Sequence, residues 1–177
     1  MSKSLTLRPL ALLLAVAGSS LAQAGTEVAP YFYTWGFGSS AYGFRSLMEM
    51  KARGGPAAVT LAFVLGRSGG AAGCTAVNDP IDGPMRSDIQ DYRAAGGRVL
   101  VSFGGANGTA LESDRACPTA AALAGALSEF VGRTGLTDLD FDVEQGEIMT
   151  AAVNQKRAQA LVQLQRQRPA VRISLTL

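Results

Sequence analysis

A chain of 177 residues with 16 basic, 14 acidic and no histidine residues cannot build a Ser-His-Asp or Cys-His nucleophilic site, or the common zinc sites, from its own side chains. Proton transfer, if the chain performs any, must rest on carboxylates, tyrosines or lysines. The formal charge of +2 says nothing about nucleic acid or anionic membranes, because Lys3 and Arg8 fall in a leader and the rest of the chain is formally neutral.

That leader is residues 1–24. A positive start, the apolar run "LALLLAVAG" and the small residues Ala22 to Ala24 read as a secretory signal peptide. The expectation is export to an extracellular or periplasmic compartment. The apolar run is too short for a membrane span, and no later segment is long enough.

Five β-prone apolar runs follow in residues 25–177. "APYFYTW" lies near 29–35, "AVTLAFVLG" at 58–66, "GRVLVSFGG" at 97–105, "LTDLDFDVE" at 136–144 and "AVRISLTL" at 170–177. Between them sit helical patterns. "FRSLMEMKARGG" and "MRSDIQDYRAAGG" stop at Gly-Gly, "PTAAALAGALSEFVGRTG" opens with Pro118 and closes before Gly135, and "AAVNQKRAQALVQLQRQRP" ends at Pro169. "GRSGGAAG" at 66–73 reads as a loop. The "GGANG" turn after the third strand reads as a tight strand-to-helix turn. Strand–helix alternation predicts one α/β domain with a parallel sheet and helices outside it. Either an open doubly wound sheet or the first part of an eight-stranded barrel, which needs ~250 residues, fits five strands.

Cys74 and Cys117 are the only cysteines. In an exported chain the first expectation is one disulfide between them, and two buried thiols is the alternative.

The fourth run carries the chemistry. Residues two apart on a strand share a face, so Asp138, Asp140, Asp142 and Glu144 form one line, with Leu139, Phe141 and Val143 opposite. On an antiparallel edge strand that line would be a solvated face. Inside a strand–helix series it points into the sheet or barrel interior, where unpaired charge is costly and such clusters serve function. Crowding raises the pKa of at least one member. The expectation is that Glu144, at the carboxyl end, holds a proton and acts as general acid, that Asp142 stays charged beside it, and that the two titrate as a unit. A helix–loop–helix calcium site fails, because Val143 and Met149 stand where its Gly and Glu belong. "DFDVE" also resembles the aspartyl-nucleophile motif of haloacid-dehalogenase-like phosphatases, but that motif ends a first strand and this one a fourth.

"LDFDVE", at the end of the fourth strand, and "SFGG" (Ser102 to Gly105), at the end of the third, together resemble the signatures of family 18 glycoside hydrolases, the chitinases and their relatives. The likeness runs from about 30 to 177 and includes an aromatic first strand and a closing "RISLTL". It implies a (β/α)8 TIM barrel, present here as strands one to five in residues 25–177. It also implies a secreted chitinase that cleaves β-1,4 N-acetylglucosamine linkages without an enzyme nucleophile. The substrate's acetamido oxygen would attack the anomeric carbon, a known exception to the usual carboxylate pair. By position, the resemblance makes Glu144 the general acid/base. It makes Asp142 the group that orients the acetamide, and Asp140 its support with Ser102 nearby. Gly104 and Gly105 would line the substrate side, and no cofactor or metal is implied. Two features depart from the pattern. Thr137 stands where the family has its first Asp, and Asp138 where Gly is common. The family's acetamide-holding tyrosine and floor tryptophan belong to strands beyond Leu177.

The aromatic residues cluster between Tyr31 and Phe44. Most are expected in the core. Tyr31, Tyr33 and Trp35 share a strand face, and Tyr33 or Trp35 is the expected sugar platform at the cleft. The implied partner is chitin or an N-acetylglucosamine oligosaccharide bound by a monomer, with no nucleic acid or membrane partner. A chitin-binding lectin on the same scaffold and an inactive fragment are the alternatives.

Overall fold

The computed structural model describes residues 27–39, 41–77 and 79–177. The proposed leader at 1–24 lies outside the described residues. The elements run β1 (Tyr31–Tyr33), α1 (Leu47–Ala52), β2 (Ala58–Gly66), β3 (Ala76–Val77), α2 (Asp79–Asp82), α3 (Arg86–Ala94), β4 (Arg98–Gly104), α4 (Ala120–Thr134), β5 (Asp138–Asp142), α5 (Ala151–Gln167) and β6 (Arg172–Thr176). The five expected strands and four expected helices are all present.

The main sheet has the order β1-β2-β4-β5-β6, with every neighbouring pair parallel. Sequential strands lie side by side, as in a barrel, and not in the reversing order of a doubly wound sheet. The sheet also curves. The Tyr31 hydroxyl of β1 lies 3.3 Å from the Thr176 hydroxyl of β6 at the other end of the strand order. The two-residue β3 was not expected from the sequence. It folds back antiparallel against Leu65 and Gly66.

The convex face packs on the helices. Phe32, Val59, Leu61, Val99, Val101, Phe103, Leu139 and Phe141 join the helix side chains in one buried core. Phe103 stacks on Phe141 at 5.2 Å and meets Phe130 of α4 edge-on at 5.3 Å, both favourable aromatic geometries. Helix starts are fixed by hydroxyl caps. The Thr119 side chain accepts from the Ala122 N–H, and Thr150 accepts from Val153. Gly135, in the left-handed region at φ 69°, ends α4.

Two strands are shorter than expected. β1 ends at Tyr33, because the chain turns into a 3-10 helix at Thr34–Gly36. The Tyr33 N–H is bonded to the Tyr42 hydroxyl at 3.1 Å. β5 ends at Asp142, so Glu144 stands two residues past the strand and not within it.

In β2 the pairing register with β4 shifts between Ala62 and Val64. Such an irregularity reverses which side successive residues face. Val59 and Leu61 face the helices, yet beyond the shift Val64 joins that core while Phe63 and Leu65 line the concave side. The Ala62–Phe63 peptide bond is cis.

Cys74 and Cys117 form a disulfide with Cα atoms 4.7 Å apart. It ties the segment after β2 to the loop between β4 and α4.

Candidate active site

Parallel register converts the acid line into a row of rungs. Asp138 pairs with Leu100 and Arg172, Asp140 with Ser102 and Ser174, and Asp142 with Gly104 and Thr176. The three aspartates are 6%, 5% and 4% exposed. They point into the concave interior, which excludes a solvated edge, and each meets a different environment.

Asp138, at the amino end, is held by two cations. Arg98 donates to both oxygens at 3.2 and 3.0 Å, and Arg172 donates at 2.8 Å. Burial alone would raise the carboxyl's pKa, but the two guanidinium groups outweigh it and hold the group below its ordinary value. Arg98 also pairs with Glu27.

Asp140, in the middle, is caged by hydroxyls. Ser102 donates at 2.8 Å, Ser174 at 2.7 Å and Tyr31 at 3.3 Å, with Thr176 at 3.3–3.4 Å. Among the described residues, its hydrogen-bond partners are all hydroxyl groups.

Asp142, at the carboxyl end, shares a side-chain hydrogen bond with Glu144. Burial, that hydrogen bond and the charges of Glu144 and Asp140 push its pKa up to about 6. From the sequence, Glu144 was expected to hold the proton and Asp142 to stay charged; the raised pKa lies on Asp142, in a pair joined by one hydrogen bond. Glu144 itself is exposed, at the mouth.

A cleft of about 750 Å³ opens at this pair, lined by Tyr31, Tyr33, Trp35, Phe63, Asn107, Asp142 and Glu144 among others. Tyr33 and Trp35 stack nearly parallel, with ring centroids 5.8 Å apart and planes 14° from parallel. Trp35 is 71% exposed. Both residues named from the sequence as a sugar platform therefore line the cleft. Ser102, Gly104 and Gly105 do not. Ser102 is fully buried behind Asp140. Gly104 lies at φ 101°, where an added Cβ would sit 2.4 Å from the Asp142 carbonyl oxygen. A Cβ on Gly105, at φ 82°, would meet the Phe63 ring at 2.9 Å. The two glycines thus let β4 turn away directly behind the acid pair.

The sequence reading missed Phe63, Asn107 and Thr176 as cleft residues. Phe63 was hidden by the register shift in β2, and Asn107 by its place in a loop. It also missed the buried pair of Glu112 with Arg157, at 3.1 Å, in which Arg157 further donates to the Ile148 carbonyl at 2.9 Å.

No protein-family model matches the chain, and no curated protein matches it. Solved structures do. Active domain 2 of a chitinase from Pyrococcus furiosus, a catalytic-site mutant, is 30% identical with a TM-score of 0.66 over 84% of this chain and 45% of that one. The same domain complexed with chito-oligosaccharides is 29% identical with the same TM-score and coverage. This chain has the fold of the family 18 chitinase catalytic domains, over part of their length. A family GH18 chitinase from Chromobacterium violaceum, 18% identical, shares the family 18 fold with a TM-score of 0.57 over 83% of this chain and 39% of that one. The chain thus spans less than half the length of these family 18 chains. No helix among the described residues is long and apolar enough to cross a membrane.

Proposed function

We propose that this chain is the part of a secreted, monomeric chitinase that carries the acids, and that it cleaves β-1,4-linked N-acetylglucosamine with retention and without a cofactor. Residues 25–177 supply the first five strands of the catalytic barrel. One observation carries the reading: a buried Asp142 shares a hydrogen bond with an exposed Glu144, in a cleft floored by carboxylates and walled by aromatic rings.

In this reading the reaction starts from the pair at the mouth. Asp142 passes the proton of their shared hydrogen bond to Glu144 at the mouth, which gives it to the glycosidic oxygen as Asp142 takes on the negative charge. The carbonyl oxygen of the substrate's own 2-acetamido group attacks the anomeric carbon, and the leaving sugar departs with the proton. Asp142 holds the acetamide N–H and faces the positive charge that forms on the oxazolinium ring. Glu144 then takes a proton from water as that water attacks the anomeric carbon and reopens the ring. Asp140, fixed by its hydroxyl cage, sits behind Asp142 and adds to the rise of its pKa. The stacked Tyr33 and Trp35 offer an apolar face to sugar rings, and residues 25–177, formally neutral without Lys3 and Arg8, suit an uncharged polymer.

Hydrolysis of a fluorogenic chitobioside by the protein and by its Glu144→Gln variant tests this. Turnover that falls by at least about 100-fold in the variant, the scale of a lost general acid, supports the enzyme. Chitin binding without turnover in either protein would establish a lectin instead.

A further inference from the structure

The exposed acid is held from beside, by a residue that the reaction does not use. The Gln145 side-chain amide donates to two carbonyls of the loop between β4 and α4, to Gly105 at 3.0 Å and to Gly108 at 3.2 Å. Both hydrogens of the amide are thereby committed. The two carbonyls flank Ala106 and Asn107, which line the cleft. On the other side of Glu144, the Val143 N–H donates to the Thr176 carbonyl at 2.9 Å. Glu144 lies past the end of β5, so the parallel ladder no longer fixes it. These two flanking attachments take over that task.

We propose that Gln145 is a positioning residue: its amide fixes Glu144 against Asp142 and, through the same two bonds, fixes the loop that carries Asn107 at the cleft. The proposal rests on the chitinase reading for its effect on catalysis, but its structural half stands without it. The groups facing Asp142 are few. Glu144 and Asp140 come from its own segment, Tyr31 from β1, and Thr176, which is uncharged, from β6. Release of Glu144 therefore removes the hydrogen bond and the nearest charge that raise Asp142, and its titration midpoint must fall.

The test is Gln145→Met, which keeps the length of the side chain and removes both donors, with the exposed Gln167→Met as control. The Asp142 carboxyl is titrated by carbon-detected NMR, and kcat and KM are measured on the chitobioside. The expected result is an Asp142 midpoint below about 6 together with a kcat lower by about tenfold, the scale of a misplaced catalytic group. A lowered midpoint with no turnover even in the parent protein would support the positioning role and overturn the chitinase reading. An Asp142 midpoint unmoved by Gln145→Met, whatever the kinetics, would overturn the positioning role.

Discussion

At the scale of single residues, one strand sets three carboxylates in three different states. Asp138 faces two guanidinium groups, Asp140 faces hydroxyls and Asp142 faces another carboxylate. The sign of each effect on stability follows. Asp142's folded pKa is raised, so its contribution is fully present below the unfolded value near 3.8 and is lost as pH rises through about 6. Asp138's folded pKa is lowered, so its contribution is present above its unfolded value and is lost as pH falls below it. Between about pH 4 and about pH 7 the Asp142 effect governs the pair. The thermal midpoint of the protein should therefore fall across that window, and Asp142→Asn should flatten the fall while abolishing turnover. A midpoint profile of the Asn variant that parallels the parent's would remove Asp142 as the cause. The alternation of the acids was legible in the sequence, because a period of two has one structural meaning on a strand. The raised pKa of Asp142 was not, because it depends first on burial, which neighbouring strands decide.

At the scale of elements, the loop between β4 and α4 is the piece most heavily fastened to its surroundings. It receives the Gln145 amide, the disulfide at Cys117, the Lys156 ammonium on the Cys117 carbonyl at 2.8 Å and the Glu112–Arg157 pair. Glu112 is fully buried and Arg157 is 5% exposed. Arg157 joins this loop to α5 and to the Ile148 carbonyl just past Glu144. A buried charge left without its partner is costly. Arg157→Met should therefore destabilise the protein by about 3–5 kcal/mol in urea denaturation. The double variant with Glu112→Leu should recover most of that loss. A single variant that unfolds at the parent's urea midpoint would show that the pair contributes nothing. Nothing in the local sequence marks Glu112 and Arg157, which are 45 residues apart, because only the stacking of the loop on α5 brings them together. The helices themselves were legible, since their Gly and Pro boundaries act over a few residues.

At the scale of the whole molecule, the five parallel strands curve until β1 and β6 share hydroxyl contacts across the concave side. The acids thereby meet aromatic residues more than 100 positions away, as the Tyr31–Asp140 bond shows with a separation of 109. The Cys74–Cys117 link, with a sequence separation of 43, closes a large loop across this body. Its replacement by Cys74→Ser with Cys117→Ser should lower stability by roughly 3–4 kcal/mol in the chain-entropy account. An unchanged urea midpoint would mean that the unfolded chain gains little freedom without it.

The sequence by itself determined the strand–helix order, the parallel sheet, the inward line of acids and the family those acids point to. Each of these is written in short periodic patterns or in residues a few positions apart. Only the tertiary structure decided where Trp35 and Phe63 stand, that Asp142 is buried while Glu144 is exposed, and which carbonyls the Gln145 amide meets. A turn capped by Tyr42, a register shift in β2 and hydrogen bonds to a distant loop settle those points, and each arises between segments that meet only when the sheet curves.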